Sequence, residues 1–93
     1  MIVAGMVSVR QQPTTAKGTV FLLLEDEHGM LNVIVPRELV APNREAVRHA
    51  TFLAVYGRAE RDGPLVNVIA QRFKAFDSAQ GAERVVHRSH DFR

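Results

Sequence analysis

The 93-residue sequence contains no cysteine. Disulfides and thiolate metal sites are therefore excluded, and a reducing, cytoplasmic compartment is expected. No apolar run approaches the roughly 20 residues of a membrane helix, so neither a span nor a membrane partner is expected. Met1 to Met6 carries no basic segment ahead of a long apolar stretch, which predicts no secretory leader. Lysine is scarce: ten of the twelve basic residues are arginine, the others being Lys17 and Lys74. Arginine presents a planar fork that pairs with phosphate and stacks on bases, so the bias leans toward nucleic acid. A GC-rich coding sequence gives the same bias, and net charge is only +2. There is no internal repeat and no low-complexity segment. With 46% hydrophobic residues and well-mixed charge, the chain is suited to one small domain with one core.

Periodicity predicts five strands. Ile2 to Val9 alternate loosely as the first. Arg10 to Lys17 is polar and holds Pro13, as a loop does. Gly18 opens the second strand, Thr19 to Glu25, with Val20, Leu22 and Leu24 on one face and Thr19, Phe21 and Leu23 on the other. Asp26 to Gly29 is a hairpin turn, Gly29 supplying positive φ. Met30 to Val35 forms the third strand. Pro36 ends it and suits a first helical turn. Pro42 then breaks the helical stretch near Ala41, leaving Asn43 to cap a short helix, Arg44 to His49. Thr51 to Arg61 is the fourth strand, bulged at Gly57. Asp62-Gly63 is the strongest hairpin signal. Leu65 to Phe76 is the fifth strand, with Val66, Val68 and Ala70 on one face.

This order predicts an all-β domain with one short helix, a five-stranded OB-fold Greek-key barrel over residues 1–76. Residues 77–93 read as a polar C-terminal tail. An SH3-like barrel is the runner-up, although it usually lacks so long an insertion before the fourth strand.

Nucleic acid binding needs charge for phosphates and a flat face for a base. Phe21, opposite the core face, is the candidate stacking residue. Arg10 and Lys17 flank the first loop, Arg58 and Arg61 approach the second, and Arg72 lies on the fifth strand. These five are the candidate phosphate contacts, with Asn32, Asn67 and Gln71 as weaker polar contacts. Scattered solubilising charge is the competing account of the basic residues. Packing against a loop or a neighbouring domain is that of Phe21. Glu25, Asp26 and Glu27 are explained by turn chemistry. His87-x-x-His90 offers two ligands without a third. No catalytic arrangement and no Gly-rich phosphate loop is present, so neither enzyme activity, cofactor nor metal is expected.

The run V-x-V-R-Q-x-P-x-T-A-K-G-x-x-F-x-x-L-E-D-E-x-G, Val7 to Gly29, resembles the C-terminal OB domain of bacterial C-family DNA polymerase alpha subunits. The likeness is greatest to the error-prone, damage-inducible branch. NVIV, GRAERDGPLVNVIAQR and the final SHDFR resemble the same branch. A wider likeness covers the anticodon-binding OB domains of class II tRNA synthetases. In those domains a Phe five residues before the turn Asp stacks on a base, and Phe21 stands so to Asp26. One departure is clear: after Val35-Pro36 comes RELVAPNREAV, without the aromatics often found there, which removes a second stacking residue. The resemblance implies a non-catalytic module, with catalysis in a palm domain absent here, serving translesion synthesis. It implies single-stranded DNA as partner, with RNA as the other ligand to test. Further partners are other polymerase or mutagenesis-complex subunits. A protein-interaction module and a free-standing tRNA-like binder are the competing functions.

Overall fold

The computed structural model describes residues 1–13, 17–27 and 29–76. The tail, with His87 and His90, and residue His28 lie outside the described residues. Five strands and two short helices run in the order β1 (Ile2–Gln11), β2 (Val20–Asp26), β3 (Gly29–Val35), α1 (Arg37–Val40), α2 (Arg44–His49), β4 (Phe52–Asp62) and β5 (Leu65–Phe76). The strands close into a barrel in the order β1-β2-β3-β5-β4. All pairings are antiparallel except β3 with β5, whose parallel register sets Val33 beside Val68. This is the expected OB-fold. Closure leaves no long exposed sheet edge.

Alternation builds the core. On β2, Val20, Leu22 and Leu24 point inward, meeting Val33 and Val35 of β3, Leu53 and Val55 of β4, and Val68 and Ala70 of β5. Helix α2 adds Val47 and closes one end of the barrel. Among the described residues no buried side chain is polar. Hydrophobic burial and backbone pairing therefore carry the stability.

β1 serves two neighbours: Ile2 to Met6 pair with β4, and Met6 to Gln11 pair with β2. The handover needs Gly5, where a Cβ would come within 2.7 Å of the Glu25 carbonyl oxygen. β1 also runs two residues beyond its expected end, because Arg10 and Gln11 pair with Leu22 and Phe21. The β4–β5 turn differs too. Asp62 pairs with Leu65, so Gly63-Pro64 occupies the loop. Gly63 has φ 61°, and the proline ring holds the next φ negative, the pattern of a type II′ turn. The expected irregularity near Gly57 is present as a register shift that leaves Gln71 of β5 without an opposing residue.

The helical stretch breaks at Pro42 as its sequence dictates. Asn43 precedes α2 but makes no side-chain cap. Its amide instead donates back to the Leu39 carbonyl at 2.9 Å, tying α2 to α1.

Candidate functional site

Cross-strand register arranges the outward side chains in rows. One row reads Gln11, Phe21, Ile34, Ile69 and Arg58 across β1, β2, β3, β5 and β4. The next reads Val9, Leu23, Asn32, Asn67 and Glu60. Neighbouring strands lie about 4.8 Å apart, so each row is a continuous strip. Phe21 is 37% exposed and Val9 40%, while Leu23, Ile34 and Ile69 are half-buried. The first row is apolar along its middle, between Gln11 and Arg58, while the second is apolar at Val9 and Leu23 and polar from Asn32 onward. Ile34 and Ile69 are legible as outward residues only once Val33, Val35, Val68 and Ala70 are known to fill the core.

The β1–β2 loop bounds this face at one end and the β4–β5 turn at the other. Lys17 is exposed at the loop, with φ 54°. Arg58 shares the Phe21 row and lies 3.7 Å from Glu60, both side chains being well exposed. Such a pair contributes about 0–1 kcal/mol, so little holds Arg58 to its partner. Arg61 pairs with Val66, and alternation turns it to the opposite face from Arg58. Arg72 pairs with Tyr56, its guanidinium 5.1 Å from the ring centroid, three residues along β5 from Ile69. The two basic residues expected at the second loop thus do not converge, and Arg72 stands beyond the Phe21 row.

Arg10 has a different setting. Its register partner Leu22 faces inward, so Arg10 turns toward the helical end of the barrel. There Nε donates to the Val47 carbonyl at 2.8 Å, and Nη2 donates to the Ala50 carbonyl. These carbonyls end α2, where a helix lacks internal donors and favours a cation. Arg10→Met keeps the stem and removes both donors. It is expected to lower unfolding free energy by about 1–3 kcal/mol, read by urea denaturation.

Charge is separated along the barrel. The β2–β3 turn carries Glu25, Asp26 and Glu27. At the other end, Arg37, Arg44 and Arg48 join Arg10 around a cleft between the first loop and the helices. No motif in the sequence singles these three out as a site. Their signal was the i, i+4 spacing of Arg44 and Arg48 on α2.

No protein-family model matches the chain. The error-prone DNA polymerase of Aromatoleum aromaticum is 45% identical over 91 residues, covering 98% of this chain and 8% of that protein. That of Xanthomonas campestris pv. campestris (strain B100) is 53% identical over 68 residues, 73% of this chain and 6% of the polymerase. Error-prone DNA polymerase 2 of Rhizobium meliloti is 37% identical over 93 residues, 100% of this chain and 8% of that protein. The chain thus spans only 6–8% of the length of these relatives. Among solved structures, the S. pombe Stn1–Ten1 complex superposes with a TM-score of 0.69 at 15% identity, covering 94% of this chain and 65% of that one. Asparaginyl-tRNA synthetase from Pyrococcus horikoshii, complexed with asparaginyl-adenylate, gives 0.68 at 16% identity, covering 90% of this chain and 22% of that one. At such identities the likeness is one of fold.

Proposed function

Since this chain belongs with the error-prone DNA polymerases, as the counterpart of one segment of them, we propose that it is a non-catalytic module that binds single-stranded DNA. Its service is to a polymerase that copies damaged templates. The observation that carries this reading is Phe21, exposed on a strip whose loop end is basic and free of the acidic turn residues. A base stacks on the Phe21 ring, Leu23 and Ile34 support the ring edge, and Lys17 and Arg58 meet phosphates. Stacking is indifferent to base identity, so binding is sequence-tolerant.

The test is titration of labelled oligo-dT at several salt concentrations. Neutralising the two phosphates met by Lys17 and Arg58 predicts roughly a 7-fold loss of affinity between 50 and 200 mM salt. A flat affinity would overturn the reading. Oligo-U titrated in parallel separates RNA from DNA through the 2′-hydroxyl.

A second reading, docking of another polymerase or mutagenesis-complex subunit, is favoured by the apolar strip itself. Val9, Phe21, Leu23, Ile34 and Ile69 form a contiguous apolar patch of the kind protein partners cover. Capture of such a subunit together with absent oligo-dT binding at low salt would select it.

A further inference from the structure

The cleft between the first loop and the helices is about 410 Å³, within the range of small-ligand sites. Its apolar floor includes Val20, Val40 and Val47, and its rim carries Arg10, Arg37, Arg44 and Arg48. Among the described residues no carboxylate lines it; Glu38 and Glu45, on the same helices, lie outside the lining. Among the described residues, none of Arg37, Arg44 and Arg48 is held in an ion pair. Like charges at i, i+4 work against a helix, so Arg44 and Arg48 are placed at a disadvantage to α2 that a bound anion would relieve.

The loop itself makes room for this cluster. A Cβ on Gly18 would lie 2.8 Å from Arg37 Cγ and 3.0 Å from Cδ. The Arg37 stem therefore rests on the loop where only glycine leaves space. Continuity with the stacking strip is direct. Gln11 pairs with Phe21 in the outer row and also lines the cleft. A strand that crosses Phe21 toward the loop end arrives at these guanidiniums.

The geometry points to a phosphate subsite: the cleft takes a phosphate of the strand that crosses Phe21, either an internal phosphodiester or a terminal phosphate. Arginine forks bind phosphate oxygens bidentately, and Arg37, Arg44 and Arg48 are the forks not already given to helix carbonyls. This inference rests on the single-strand reading above.

The experiment uses the 93-residue chain and fluorescence anisotropy with oligo-dT, with and without a 5′-phosphate. The double variant Arg44→Gln/Arg48→Gln should make the log–log salt slope less negative by about 0.7, the share of the one phosphate held in the cleft. Phe21→Ala should weaken binding and leave the slope alone. Circular dichroism checks folding; if the double variant unfolds, Arg37→Gln, expected to change the slope in the same direction by up to about 0.7, takes its place. A slope change on both oligonucleotides assigns an internal phosphate, and one confined to the phosphorylated strand assigns a terminal phosphate. An unchanged slope with a weakened Phe21→Ala variant overturns the subsite and leaves the stacking face standing. A changed slope with full-strength Phe21→Ala keeps the subsite and removes the stacking role. Absence of binding by the unsubstituted chain overturns both.

Discussion

Phe21→Ala is expected to weaken oligo-dT binding by about 5- to 150-fold, the loss of one base stacked on one ring at roughly 1–3 kcal/mol. The ring belongs to β2 but faces away from the core, with Gln11 and Ile34 as its register neighbours. Its removal takes away cross-strand contacts of less than about 1 kcal/mol, so the barrel stays folded. A binding loss without a matching fall in stability is the signature of an interface residue. Equal affinity of variant and unsubstituted chain, measured by anisotropy at low salt, would sink the stacking role.

Leu53→Ala should do the reverse. Leu53 is fully buried near the start of β4. Its register partners are Gly5 on β1 and Ala75 on β5, both too small to move into the space it would vacate. Truncating a buried leucine destabilises by about 2–5 kcal/mol, more where the cavity cannot collapse. Against a total of roughly 5–15 kcal/mol, that removes a large share of the stability. The melting temperature should fall by on the order of 10–30 °C, checked by thermal denaturation followed by circular dichroism. Below the new transition, oligo-dT affinity should match that of the unsubstituted chain, because Leu53 faces away from the Phe21 strip. A shift of only one or two degrees would show that the core around Leu53 repacks.

The two variants separate what holds the barrel from what the barrel displays. The same alternation serves both: inward residues of β2 fill the core, and outward residues face solvent. Arg10 lies between these roles. It marks the basic loop in the sequence, yet its guanidinium is spent on the carbonyls of Val47 and Ala50, 37 and 40 residues away. In the proposed binding mode, Lys17 and the arginines of the helical segment take the phosphate contacts at that end.

The local features were legible in the residues themselves. Period-two alternation marked Phe21 as outward, Pro42 marked the helix break, and the Gly63 region marked the last turn, since each depends on sterics within a few residues. The family likeness, carried by Val7 to Gly29, was equally readable. Tertiary structure alone decided the rest. Parallel pairing of β3 with β5 brought Ile34 beside Ile69, and the docking of α2 on the barrel end drew Arg10 inward. The same docking gathered Arg37, Arg44 and Arg48 around one cleft. These placements depend on contacts between residues distant in the chain, which no local pattern encodes. The low net charge is the clearest case. A sum of +2 is all the sequence offers, while the fold sets an acidic turn at one end and a cleft rimmed by four arginines at the other.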